Sequence, residues 1–183
     1  SERVNQLRNW NMEFIQGDIL DKDLVNKYFQ DADIVHHLAG ITQVPRTRSE
    51  SSLDQDNKIK EVGEKGTQNI LDAINNKCKI IFPSTHVVYE GIDEIKTDIK
   101  EDEKTKPVLS YSTSKAVNEE QLKKSGKNYI ILRLGSVYGY STDSMRIDIM
   151  PNLFSKIASQ NGTLKLFAGG GQIKSLVPLI DVA

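Results

Sequence analysis

Three apolar runs of strand length, separated by long helix-forming stretches, constrain this chain more than any other feature. They are Asp33-Ile34-Val35-His36-His37-Leu38, Lys79-Ile80-Ile81-Phe82-Pro83 and Asn128-Tyr129-Ile130-Ile131-Leu132-Arg133-Leu134. The intervening segments are long enough to hold a helix and bring the chain back to the same edge of a sheet, the pattern of a parallel α/β fold. The unbroken apolar character of the third run suits a buried parallel strand. Residues 12–16 alternate like another strand before Gly17-Asp18, and residues 164–167 read as a short one before Gly169-Gly170-Gly171. Residues 21–29 set Leu24, Val25, Tyr28 and Phe29 at helical spacing. Further helices are expected over the long stretch carrying Ile70, Leu71 and Ile74, over about 111–124, and near 149–159, with polar loops at 45–52 and 90–106.

Composition excludes several function classes. With 183 residues, 38% hydrophobic and 27% charged, the chain has enough apolar material for one well-buried core. A net charge of -1 leaves no basic excess to neutralise phosphates, so no nucleic-acid partner is expected. No apolar run is long enough to span a bilayer and no secretion signal is visible, so a cytoplasmic protein with no membrane partner is expected. The single Cys78 rules out an internal disulfide and reads as a packed thiol in a reducing compartment. His36 and His37 are neighbours on a strand and point to opposite faces, so no metal site is expected. Asn161-Gly162-Thr163 reads as a turn.

Ligands of parallel α/β sheets bind beyond the carboxyl ends of the strands, and here those ends carry Asp18, Gly40, Thr85 and Ser136. Downstream, Tyr111 and Lys115 stand one turn apart if they share a helix. An ammonium beside a phenol favours the phenolate and lowers its pKa from about 10. Such a tyrosine exchanges a proton with an alcohol or sugar hydroxyl at neutral pH. Y-x-x-x-K alone arises by chance about once in a chain this long, so its context carries the weight.

In order and spacing, the segments resemble the extended short-chain dehydrogenase/reductase superfamily, in its NAD-dependent epimerase/dehydratase branch. Gly17-Asp18-Ile19 is similar to the adenine-contact segment, and His37-Leu38-Ala39-Gly40 to H-[LF]-A-[AG]. Gly66-Thr67 with Asn69-Ile70-Leu71 resembles G-T-x-N-[LI]-L, and Ser84-Thr85-His86-Val87-Val88-Tyr89 resembles S-[ST]-x-x-V-Y. Tyr111 and Lys115 match Y-x-x-x-K, and Leu132 to Gly139 resembles L-R-x-x-N-V-Y-G. Residues 172–183 resemble the R-D-[FY]-[VI]-H-V-x-D-[VL]-A segment of the sugar-binding lobe.

The resemblance implies a Rossmann-like doubly wound parallel sheet, truncated at the N-terminus, over residues 1–140. Residues 141–183 would begin a smaller nucleotide-sugar lobe. It implies Thr85, Tyr111 and Lys115 as catalytic residues. Asp18, Ile19, Leu38, Ala39, Gly40, Thr42, Ser84, Tyr111, Lys115, Ser136 and Val137 would contact NAD, with NADP left open. Thr85, Ser136, Ile149, Phe167 and Lys174 would contact a nucleotide-sugar substrate. A homodimer through the helix carrying Tyr111 and the long helix before it is also implied.

The implied activity is nucleotide-sugar epimerisation of the UDP-hexose 4-epimerase type. A keto-sugar reductase, a dehydratase and a non-catalytic dinucleotide-binding scaffold remain open. His86-Val87 supplies no carboxylate where the dehydratase pattern has an acid pair, which ranks that reading lower. His86 itself is expected to be packed or solvent-facing. Other departures are Gly63 and Ser136 where asparagines are common, and Lys174 for an arginine, which keeps charge but loses the bidentate fork. The family's G-x-x-G-x-x-G phosphate loop is absent and the chain starts at Ser1. A fragment lacking its cofactor cradle, inactive in isolation, is expected.

Overall fold

The computed structural model describes residues 2–42, 48–141, 145–171 and 173–183, without the side chains of residues 2, 3, 48, 167 and 168. The chain forms two compact units, residues 17–133 and residues 1–16 with 134–183.

The larger unit runs α2 (Lys22–Phe29), β1 (Ile34–His36), α3 (Leu53–Lys60), a π turn (Glu61–Lys65), α4 (Gly66–Ala73), β2 (Lys79–Thr85), α5 (Ser110–Lys124) and β3 (Asn128–Leu134). α1 (Glu2–Asn9) belongs to the other unit. The strands form a sheet in the order β1-β2-β3, and β1 runs parallel to β2 with Val35 opposite Ile80. α2 begins where the Asp21 carboxylate accepts a bond from Leu24 N at 3.0 Å, and Ser52 caps α3 through Gln55 N in the same way. Val25, Val35, Ile70, Leu71, Ile74, Cys78, Ile80, Phe82 and Leu122 make one buried core beneath α2, α4 and α5. Cys78 is a buried free thiol.

The long helical stretch is not continuous. Its π turn brings Gly63 against α5, where an added Cβ would collide with the Ser114 hydroxyl. Asn118 and Gln121 donate to the carbonyls of Gly63 and Glu64 at 3.1 and 3.0 Å, satisfying backbone groups that the wide turn exposes. β3 also departs from expectation. Ile131 packs on the core, but Tyr129, Ile130 and Leu132 are exposed. β3 lies at the edge of its sheet, and only one of its faces meets the core.

In the smaller unit, β4 (Ser136–Tyr138) pairs in parallel with β5 (Leu176–Pro178), and α6 (Met150–Ser159) lies between them in sequence. Asn161 takes a left-handed φ of 53° after α6, with Gly162 N bonded to Ile157 O at 2.9 Å, the expected turn. Residues 12–16 and 164–166 join no sheet, and Phe167–Gly170 is a 3-10 turn. Alternation supplies a strand's faces, but a ladder also needs a paired backbone, which neither segment has among the described residues. Among those residues no helix is long and apolar enough to cross a membrane.

Because Ile80 is fully buried between α4, α5 and β1, Ile80→Ala should destabilise the fold by about 2–5 kcal/mol. Denaturant unfolding of the two proteins checks this.

Candidate active site

The end of β2 turns directly into a 3-10 turn, His86–Tyr89, whose start Thr85 caps by accepting from Val87 N at 3.3 Å. The cap pins the hydroxyl of Thr85, a residue only 8% exposed. The chain then returns to α5 under the control of Glu90. Its carboxylate accepts from Val108 N at 2.9 Å and Leu109 N at 2.7 Å and meets the Ser112 hydroxyl. A carboxylate on the first turn of a helix also complements the positive end of its dipole. One loop therefore carries Thr85 at its start and fixes the helix of Tyr111 at its end.

α5 packs on β2 and on the 86–89 turn. Lys115 reaches β2, donating to Pro83 O at 2.9 Å, and its ammonium sits 4.3 Å from the centroid of the Phe82 ring. It lies 6.0 Å from the centroid of the Tyr111 ring. Burial lowers the Lys115 pKa to about 8, against an opposing pull from Glu119. Cation–π contact and the carbonyl bond offset part of the lost hydration. Tyr111 is half-buried. The pair predicted from the sequence thus stands at the carboxyl end of β2, where Lys115 binds the strand just before Thr85.

The adjoining strand end carries the other predicted residues. His37 N donates to Ile81 O at 2.9 Å, and beyond it Leu38, Ala39, Gly40 and Thr42 are exposed. An added Cβ on Gly40 would meet nothing within 4 Å. Asp18 is exposed and its carboxylate accepts from Leu20 N at 2.9 Å. Ile19 packs against Gly66, and its carbonyl accepts from Asn69 at 2.9 Å. Ser84 is buried and donates to Glu119 Oε1 at 2.6 Å, so its hydroxyl is already committed to α5.

Ser136, Val137, Ile149 and Lys174 lie in the smaller unit. Ser136 N donates to Ser175 O at 2.8 Å, Ile149 precedes α6, and Lys174 is exposed. Phe167 lies in its 3-10 turn, with a side chain outside the described ones.

Two buried groups escaped the reading of the sequence. Glu119 is 1% exposed and held by the Arg133 guanidinium, 14 positions away on β3; its spacing four after Lys115 signals only that the two share a face of α5. His37, 2% exposed, places Nε2 2.9 Å from Thr67 Oγ1, while Nδ1 has no hydrogen-bond partner among the described residues. Burial first, and the Lys115 charge second, lower its pKa to about 4. Among the described residues no cluster of His, Cys, Asp or Glu could hold a metal.

A histidine with a folded pKa of about 4 and an ordinary value of 6.5 binds fewer protons folded than unfolded between those limits. Its contribution to stability is therefore full above the upper value and is lost as pH falls through the lower one. His37→Gln, which cannot charge, should flatten the acid dependence of the thermal midpoint across that window relative to wild type.

Among curated proteins, the chain is 31% identical over 154 residues to CDP-paratose 2-epimerase of Salmonella typhi, covering 70% of this chain and 44% of that protein. It is 32% identical over 150 residues to dTDP-D-glucose 4,6-dehydratase of Dictyostelium discoideum, covering 73% of this chain and 33% of that protein. A 3beta-hydroxysteroid-dehydrogenase/decarboxylase of Arabidopsis thaliana is 27% identical over 179 residues, 90% of this chain and 28% of that protein. The chain thus spans less than half the length of these relatives. Among solved structures, UDP-glucuronic acid 4-epimerase from Bacillus cereus, in complex with UDP-4-deoxy-4-fluoro-glucuronic acid and NAD, superposes with a TM-score of 0.79. It is 27% identical, and the match covers 98% of this chain and 56% of that one. Matched over residues 1–183, the chain belongs to the NAD dependent epimerase/dehydratase family.

Proposed function

We propose that this chain carries the acid/base half of a nucleotide-sugar epimerase of the UDP-hexose 4-epimerase type, with Thr85, Tyr111 and Lys115 as its catalytic residues. The observation that carries the reading is the half-buried Lys115, whose ammonium is held on Pro83 O beside Tyr111 at the end of β2.

The residues present fit one end of a dinucleotide. Open backbone at Gly40 and the exposed Leu38-Ala39 segment leave room at the carboxyl end of β1, and Lys115 can turn from Pro83 O to a ribose hydroxyl. Asp18, Ile19 and Thr42 are assigned to the same cofactor, with Ser84 contributing backbone only, because Glu119 takes its hydroxyl. NAD, when bound, supplies the hydride acceptor and donor. Tyr111 takes the proton of the sugar hydroxyl as the carbon is oxidised, and returns it when the hydroxyl is re-formed. Lys115 supplies the positive charge that the phenolate needs, and Thr85 orients the hydroxyl. Ser136 and Val137 on β4 are assigned to the cofactor on the family resemblance alone. Ser136, Ile149, Phe167 and Lys174 are assigned with Thr85 to the nucleotide sugar; of these, Ile149, Phe167 and Lys174 fall in the lobe proposed to begin near residue 141.

A second reading, net oxidation or reduction of an alcohol, is favoured by the likeness to the plant dehydrogenase/decarboxylase. The same three residues serve it. Stoichiometric NADH release with substrate would select it, and epimer formation without net NADH would reject it.

In the full gene product, Tyr111→Phe should lower turnover by about 10²–10⁴-fold while weakening NAD binding far less, since it removes one of many contacts. Unchanged turnover in a sugar-epimer assay would overturn the reading. A homodimer through α5 and the α3–α4 helix is proposed on the same family footing, and sedimentation velocity should give twice the monomer mass.

A further inference from the structure

Lys115 has a neighbour that the chemistry above does not use. Glu119 lies one turn further along α5 and is almost fully buried. Its carboxylate accepts from Arg133 Nε at 3.0 and 3.1 Å and from Nη2 at 2.6 Å, and from the Ser84 hydroxyl at 2.6 Å. Arg133 in turn donates to Glu101 O at 2.9 Å and meets the Tyr89 hydroxyl. These contacts join α5, β3, the last turn of β2 and the loop beyond Thr85. Burial works to raise the Glu119 pKa, but the bonds from Arg133 and Ser84 reverse this and hold it below the ordinary range.

We propose that Glu119 is a positioning residue of the active site: it locks the end of β2 onto α5 and keeps the Lys115 amine charged at neutral pH. Several titratable or polar groups surround Lys115 among the described residues, and the 86–89 turn, with His86, also packs on α5. On α5 they are Tyr111 and Glu119, and at the end of β1 there is His37, which is neutral at working pH. β2 offers the Pro83 carbonyl and the Phe82 ring, neither of them charged. On β3, Arg133 lies against Glu119 and has a positive charge of its own. Glu119 is the carboxylate whose pull opposes the effect of burial on Lys115. Removing its charge leaves burial unopposed and Arg133 uncompensated, and both favour the neutral amine. The consequence for turnover rests on the proposed role of Lys115; the consequence for its protonation does not.

Lysine reactivity, read by trace acetylation and peptide mass spectrometry across the neutral and alkaline range, gives the Lys115 titration directly in the full gene product without substrate. Glu119→Gln should move that titration below its wild-type position of about 8 and raise Lys115 labelling at neutral pH several-fold. Any turnover should lose its alkaline limb by the same shift, and Glu119→Asp should restore part of it. Glu120→Gln removes an equal charge from the exposed face of α5, where Glu120 pairs with Lys123, and should leave Lys115 unmoved. A Lys115 titration unchanged by Glu119→Gln, with turnover lowered equally at every pH, would overturn the proposal. Where the single variant fails to fold, Glu119→Met with Arg133→Met removes both buried charges and should still shift Lys115 downward; no shift there would be equally fatal. Absence of epimer in wild type, with the labelling shift intact, would count against the epimerase reading alone.

Discussion

Burying one carboxylate at the junction of α5, β2 and β3 organises the larger unit. An unpaired Glu119 at 1% exposure would cost several kcal/mol, so the strands and helix must arrive with Arg133 and Ser84 already in register. The remaining fastenings of α5 share that demand. Glu90 holds its first turn, Lys115 bonds to Pro83, and Asn118 and Gln121 bond to the π turn on the opposite side. With the Glu119 clamp, α5 is tied at five places to β2, β3, the π turn and the loop after β2, which leaves Tyr111 little freedom.

The electrostatics at the sheet's carboxyl end derive from the same burial. Phe82 contacts the His37 ring at a centroid distance of 5.4 Å and lies beneath the Lys115 ammonium. Desolvation pushes both bases toward their neutral forms. The histidine yields completely at physiological pH, while the lysine, lowered to about 8, keeps its charge at neutral pH with less margin than an exposed lysine. A lysine lowered this far responds to small changes in local charge more than an exposed one does.

Much of this was legible in the amino-acid sequence. The runs at 79–83 and 128–134, the helical spacing of residues 21–29 and the Tyr111/Lys115 pair all fall on the elements expected of them, β2 running two residues further to Thr85. What escaped depends on partners remote in sequence. The alternation of residues 12–16 satisfies a strand's side-chain pattern, yet strand pairing is a property of two segments. The Glu119 clamp joins residues 35 and 14 positions apart, and nothing local at Ser84 or Arg133 announces it. His37 looks like any strand histidine until Thr67 closes over it from α4.

The π turn at Glu61–Lys65 also sets the rotational phase of α4. Each residue of an α-helix advances the face by about 100°, and the wide turn absorbs one residue without advancing the helix by that angle. With that residue absorbed, Thr67, Ile70 and Leu71 on α4 are buried against the core. The turn is a phase corrector: α3 and α4 can each present an inward face to different neighbours, which a straight helix of the same sequence could not do. Loss of a single residue there would be felt as misrotation of the α4 face, far more than as a shorter helix.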